Sequence, residues 1–269
     1  MTLTDIRPTV RRRIARLSSY TIALIIVVIL AFIGDWPRMG RQFFNFEIMK
    51  KIFPSIVTIA LRNTLIYTVI AFVIGTFFAI ILALMKMSKG PAHWFAVGFI
   101  ELFRGLPALL TIFGCAYMIP IAFNFHWPSI GGSQGVAAGL TGLILVTSAY
   151  NAEVIRSGIE AVPKGQREAS RSLGMSHIET TVYVILPQGV RIVIPPLTNE
   201  FVMLLKDSAL LFIAGATVKT RELTTFGRDG MTSNMNATPF VCAAILYLLV
   251  TIPLTYLVGR LEKKMAVKK

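Results

Sequence analysis

Charge is scarce in this chain, and acidic charge is scarcest. Only 13 Asp and Glu stand against 27 Lys and Arg in 269 residues, and charged residues make up 15% of the total. Soluble domains carry about 25% charged residues, so a water-solvated globule is excluded. Cysteine is nearly missing: Cys115 and Cys242 both fall in apolar stretches, which argues against a disulfide framework. The histidines His93, His126 and His177 sit in separate loops or boundaries without ligand spacing, so no metal site is expected. No histidine lies near a candidate nucleophile, which leaves a membrane-embedded enzyme without a catalytic constellation. Ten-residue stretches of alternating hydrophobicity are absent as well, and a transmembrane β-barrel needs them. The dipeptide Gly-Lys occurs nowhere, so the chain has no phosphate-cradling loop of the kind that ends in Gly-Lys-Ser or Gly-Lys-Thr.

What the chain does have is long apolar stretches. Hydrophobic residues make up 55% of it and gather at 17–33, 55–85, 95–125, 136–155, 182–216 and 240–258. A helix needs about 20 apolar residues to cross a bilayer. The fourth and sixth stretches match that length, the first falls slightly short, and the rest are long enough to tilt or break. The expected fold class is an all-α membrane protein with about six transmembrane helices. A net charge of +14 raises the question of nucleic acid, and its distribution answers it. With an even number of spans both termini share one side. On that side lie Arg7, Arg11, Arg12, Arg13, Arg16, Lys86, Lys89, Arg156, Lys164, Arg167, Arg171, Arg260, Lys263, Lys264, Lys268 and Lys269. The other side holds only Arg38, Arg41, Lys50, Lys51, Lys219, Arg221 and Arg228. Basic residues collect on the cytoplasmic side of spans, which places both termini there. No nucleic-acid partner is expected. The basic start before 17–33 has the outline of a signal peptide, but Phe32 and Ile33 stand where small residues would precede cleavage. The segment is read as a retained span.

Between the fourth and fifth stretches the chain turns polar, PKGQREASRSLGMSHIETTVYVILP at 163–187. Pro163 suits a helix start. Gly165 to Leu173 is compatible with a short helix that mixes charged residues with Ala169 and Leu173. Gly174 suits a helix stop, because glycine adopts positive φ at little cost. A solvated connector is the plain alternative, but so long a patterned segment is rarely needed merely to join two helices. A rigid helix held between two spans can transmit a push.

These residues carry a resemblance. Glu168, Ala169, Gly174, Leu186 and Pro187 fall at the spacing of the EAA loop of ABC importer permeases, with Ser170 replacing the third alanine and Val184 an isoleucine. ELFRGLP at 101–107, AYNAEVIRSGIEAVPKGQREA at 149–169, LPQGVRIVIPPLTNEFVMLLKDSAL at 186–210 and a late LEKK also resemble the polar-amino-acid branch of that family. The resemblance implies a five-helix translocation core at 55–264 with a cytoplasmic coupling loop at about 156–181. Residues 1–54 would add a basic terminus, one helix and an external connection, and 265–269 a basic tail. It implies that Gly165, Glu168, Ala169, Leu173 and Gly174 contact an ABC ATPase, present in two copies that carry the ATP and Mg. It further implies a second permease subunit, identical or homologous, and an extracytoplasmic amino-acid-binding protein. This chain itself would need no cofactor and would not be an enzyme. The expected substrate is a polar amino acid, with a lean toward glutamate or glutamine. The alternatives are a permease for another small solute, such as a quaternary ammonium compound, or a secondary transporter.

Charges inside the spans complete the reading, because an ionisable group in hydrocarbon usually faces a cavity or a partner. Glu101 and Arg104 are spaced to pair with each other on a helix. Gly105 and Pro107 interrupt that helix beside Arg104, and broken helices often line substrate sites. Arg104 is therefore a candidate ligand for a substrate carboxylate. On the fifth stretch Asn199 and Lys206 share one face, with Glu200 and Asp207 on the adjacent stripe. The sequence reading expects Arg104, Asn199 and Lys206 to line a cavity, with Glu200 and Asp207 beside it, or else to form structural pairs across a subunit interface. Glu153 and Arg156 are expected to form a structural ion pair.

Overall fold

The structure is a computed structural model that describes residues 8–265, with side chains from residue 16 onward. Arg7, Lys268 and Lys269 lie outside the described residues, as do the side chains of Arg11, Arg12 and Arg13. The described residues are helical throughout apart from loops and one bridge between Ile130 and Ser133. The chain divides into two units, residues 1–46 and 47–269.

In the first unit, α1 (Pro8–Ile33) contains the first apolar stretch, and α2 (Trp36–Phe43) follows. The turn between them is fixed from both directions. Asp35 caps α2 by accepting from the Arg38 N–H at 2.9 Å, and the Trp36 indole donates to the Ala31 carbonyl at 2.8 Å. Residues 35–54, expected as an external connection, are thus largely helical. Asp35 at an N-cap and Pro37 in the first turn were the start signals that the aromatic content obscured.

The second unit opens within α3 (Phe46–Ser55), which continues through a π-helical turn (Ile56–Leu61) into α4 (Arg62–Met87). Gly90, at φ +91°, reverses the chain into α5 (Pro91–Gly105). The third apolar stretch then breaks. Leu106 is extended because the residue before a proline is pushed out of the helical region, and Pro107 has no N–H to continue the ladder. Beyond the break run α6 (Ala108–Phe113), a π-helical turn (Gly114–Met118) and α7 (Ile119–Phe123), bent 106° from α5. A long α8 (Gln134–Glu160) leads to α9 (Lys164–Ser172) and α10 (His177–Glu179). A third π-helical turn (Thr180–Ile185) opens α11 (Leu186–Asp207), which ends in a 3₁₀ segment (Ser208–Ile213). Last come α12 (Leu223–Asn234) and α13 (Thr238–Met265). Five helices among the described residues are long and apolar enough to cross a membrane, or six if the bent pair counts as one span.

Small residues set how closely these helices approach. Ala71, Ala79, Ala83, Ala149 and Ala152 of α4 and α8 are fully buried. A Cβ on Gly75 would fall 2.9 Å from Thr147, and one on Gly142 would fall 2.8 Å from the Ile112 backbone of α6. Lipid offers helices no hydrophobic drive to associate, so this close packing replaces it. Asn151, fully buried on α8, adds an interhelical hydrogen bond to Thr76 Oγ1 at 2.8 Å.

The polar stretch 217–238 holds α12 against α13 and the start of α4. Its N-cap is Glu222, only 1% exposed. That carboxylate accepts from the Thr225 N–H at 2.7 Å, the Thr225 hydroxyl at 2.5 Å, the Thr224 N–H and the Tyr247 hydroxyl at 3.4 Å. The helix start is tied to α4 where the Leu223 N–H donates to Thr64 Oγ1 at 3.1 Å and Tyr67 to the Thr220 carbonyl at 2.9 Å. Burial pushes the Glu222 carboxyl above the usual carboxylate range, against hydrogen bonds from Thr225 and Thr224 that pull it down. A folded-state value raised above the unfolded one means the fold favours the protonated acid. Stability is therefore full below the unfolded value of about 4.3 and falls as pH rises toward the folded value. Thermal unfolding in detergent from about pH 4 to about pH 8 should show the parent losing midpoint relative to Glu222→Gln. Parallel curves would mean that the hydrogen bonds cancel the effect of burial.

Candidate functional site

Where α5 breaks, the bundle opens. A cavity of about 430 Å³ lies between the break, α8 and α11. Arg104, Gly105 and Pro107 line it from the break, Thr147 and Tyr150 from α8, and Glu200, Met203, Leu204 and Asp207 from α11. The Arg104 guanidinium lies 5.7 Å from the centre of the Tyr150 ring, a cation–π contact that orients it. Two carboxylates and one guanidinium therefore share a largely apolar cavity, and a zwitterion needs both signs of charge.

This set differs from the expected one. Asn199 is exposed and lines no part of the cavity. Lys206 projects into a separate groove of about 760 Å³, beside Thr251, Thr255, Tyr256, Arg260 and Lys263 of α13. Asn199 and Lys206 do share a face, as their spacing requires, but it is the wrong one. Adjacent residues on a helix diverge by about 100°. The stripe Glu200, Met203, Leu204 and Asp207 is the one that meets the cavity, because it is turned toward α8 and the break. Glu101 does not pair with Arg104 either: its carboxylate lies 3.9 Å from Lys86 Nζ. The expected pair of Arg156 with Glu153 forms, at 2.5 Å, and Lys86 joins it at 3.0 Å from Glu153. The role of Tyr150 was missed, although its place one turn before Glu153 on the same face was a usable signal.

The second feature is the loop after α8. Gly165, Glu168, Ala169, Leu173 and Gly174 are all exposed on or next to α9. Gly174, at φ +85°, ends the helix in a Schellman turn: the Met175 N–H reaches the Ser170 carbonyl at 3.2 Å and the Gly174 N–H the Arg171 carbonyl at 3.0 Å. Ser176 and Glu179 then form a capping box that restarts the chain as α10. Ser170 is buried under the loop, with Oγ 2.9 Å from the Arg167 carbonyl and 3.2 Å from Thr180 Oγ1. Those contacts tie α9 to the root of α11, so the loop is a braced knob. Its outer face is apolar at Leu173 and Ile178, 84% and 77% exposed.

A multi-spanning bundle with a broken helix beside a charged cavity and a braced knob at one end defines the class of a transport permease. Residues 75–267 match the family described as "Binding-protein-dependent transport system inner membrane component". The "Probable glutamine ABC transporter permease protein GlnM" of Bacillus subtilis (strain 168) is 34% identical over 208 residues, covering 76% of this chain and 90% of its own length. The "L-cystine transport system permease protein TcyB" of the same organism is 36% identical over 165 residues, covering 61% and 68%. A solved structure described as an amino acid ABC transporter with histidines superposes with a TM-score of 0.74 at 33% identity, over 83% of this chain and 100% of the other. The chain belongs to this inner-membrane-component family, as a permease subunit of an ABC importer of the amino-acid branch. Such subunits are not enzymes, and ATP hydrolysis resides on a separate chain.

The bracing of the knob is separable from its surface. Leu173→Asp should leave unfolding stability within about 0.5 kcal/mol of the parent, because the side chain is solvated. Ser170→Ala, by contrast, should lose about 1 kcal/mol with its hydroxyl contacts. Denaturant unfolding in detergent measures both, and equal effects would show that Ser170 does not brace the loop.

Proposed function

We propose that this permease carries glutamine, bound as a zwitterion in the cavity between α5, α8 and α11. The observation that supports this reading is the charge set there, one cation at Arg104 against carboxylates at Glu200 and Asp207. The substrate carboxylate pairs with the Arg104 guanidinium, which presents a planar fork of donors. Its ammonium pairs with Asp207 or Glu200. The carboxylate left over repels a second acid on the substrate, so glutamate falls behind glutamine. The relative named for glutamine supports the same choice, although the one named for cystine is about as similar. A basic amino acid is the second reading, favoured by the spare carboxylate, which a cationic side chain would neutralise.

Import then works by alternating exposure of the cavity. An extracytoplasmic binding protein delivers the amino acid, and this subunit and a second permease form the pathway. Two ABC ATPases, holding ATP and Mg, drive it from the cytoplasmic side by contact with Gly165, Glu168, Ala169, Leu173 and Gly174. Lys86 touches Glu153 near the end of α8, so the basic turn after α4 and the knob lie at the same end of the bundle. That grouping of basic residues supports a cytoplasmic knob and cytoplasmic termini.

Titrating purified permease–ATPase complex with amino acids leaves out the binding protein's own selectivity. Glutamine should bind and glutamate should not. Glu200→Gln should raise the affinity for glutamate relative to glutamine by about tenfold, the scale of removing a like-charge contact. Tighter binding of arginine than of glutamine would replace this reading with the second one. For the knob, Leu173→Asp and Glu168→Lys should both abolish co-purification of the ATPase while the permease still inserts and folds. Retention of the ATPase by both variants would refute the docking assignment.

A further inference from the structure

Lys86 closes α4, and its ammonium sits between carboxylates of two other helices. Glu153 of α8 lies 3.0 Å away and Glu101 of α5 lies 3.9 Å away. The two contacts are unequal. The Glu153 side chain is 22% exposed and also holds Arg156, which in turn reaches Glu160 just before the knob. Glu101 is 65% exposed and, among the described residues, has no other ion-pair partner. The α4–α8 half of the cluster is therefore fixed, and the link to α5 is the one that can be made or released.

That link acts on a distinct piece of backbone. A positive-φ glycine, Gly90, precedes α5, and the break at Leu106 and Pro107 ends it, so α5 is a short lever with a joint at each end. Glu101 lies one turn before Arg104 on the same face of that lever. Ala96 and Ile100, both fully buried, keep the lever seated against α4 and α8. A row of charges thus runs from Glu160 at the root of the knob, through Arg156, Glu153 and Lys86, to Glu101 and the helix that positions Arg104.

We infer that Lys86 is a positioning residue for transport: by bridging Glu153 and Glu101 it ties the orientation of α5, and with it Arg104, to the knob end of α8. Without that cation Glu101 would lose its ion-pair partner, and its end of α5 would no longer be tied by charge to α8. The inference rests on the reading of the knob as the ATPase contact. Its consequence concerns coupling between the two ends of the bundle and not the integrity of either end.

The test uses the complete importer in proteoliposomes and compares Lys86→Met, Lys86→Arg and Glu101→Gln with the parent. Glu101 is exposed, so its amide variant folds whatever happens to Lys86→Met. In Glu101→Gln and Lys86→Met the ATPase should remain bound and hydrolysing, while amino acid imported per ATP hydrolysed falls about tenfold, within the usual range for coupling between two sites. Lys86→Arg should retain the parental ratio. Import per ATP within a factor of about two of the parent in Glu101→Gln overturns the inference, since a coupling free energy that small is below the usual range. Loss of ATPase binding together with transport, at an unchanged ratio, also overturns it, because Lys86 would then only support the knob. Failure of the docking reading is seen separately, as ATPase retained by Leu173→Asp and Glu168→Lys.

Discussion

The bundle depends on how closely α4 approaches α8. Gly75 leaves room for Thr147 at a distance no side chain would permit, and fully buried alanines line both helices. In lipid this contact is not driven by exclusion of water, so it must come from dispersion between closely apposed backbones and from a few polar contacts. Asn151 to Thr76 and Lys86 to Glu153 are those contacts, one inside the helix pair and one at its end. With α4 and α8 locked together, the other elements have a fixed surface to pack on. The break in α5 is possible because the peptide groups it frees face a cavity instead of hydrocarbon.

The distribution of charge in the bundle follows from the same constraint. Several ionisable groups are found where the packed pair and its neighbours leave space, at the cavity, at the cluster around Lys86, and in the groove that holds Lys206. Glu222 is the exception, sealed from solvent but surrounded by donors at the start of α12. A carboxylate at a helix N-terminus meets N–H groups that have no helical partner, which makes that location tolerable for a buried acid. It also explains how a stretch of polar sequence can pack against α13 and α4.

What could be read from the sequence was what is local. Pro163 and Gly174 mark the ends of α9 because a helix terminus is decided by one or two residues. Gly105 and Pro107 mark the break for the same reason. The apolar stretches gave the long helices and the all-α class, since length and composition settle that question. The side of a helix that meets its neighbours is different, because it depends on residues elsewhere in the chain. Asn199 and Lys206 form as good a stripe as Glu200 and Asp207, and which of them meets the cavity depends on the helices packed around α11. Lys86 looked like one of several basic residues in a turn, and its two carboxylate partners belong to helices remote in sequence. Ser170 looked like a tolerated replacement for alanine until its contact with Thr180 was visible.

Under the proposed docking, the same geometry carries a push on the knob to the cavity. α9 and α10 connect α8 to α11, and those two helices are the cavity walls that carry Tyr150 and the pair Glu200 and Asp207. They touch closely just beyond the knob, where Gly158 lies against Val193 so tightly that a Cβ would come within 2.2 Å of it. Gly189 lies against Ile159 at ordinary contact distance. A displacement of the braced knob therefore cannot move one wall alone, because the contact acts as a common pivot. Pro195 and Pro196 interrupt the hydrogen-bond ladder of α11 between that pivot and Glu200. On the proposed coupling, the lower part of α11 follows α8 while the part bearing Glu200 and Asp207 changes its angle to the cavity. Rigid attachment at the knob and a weakened ladder midway are the two properties a wall needs if a push at one end is to reshape a site at the other.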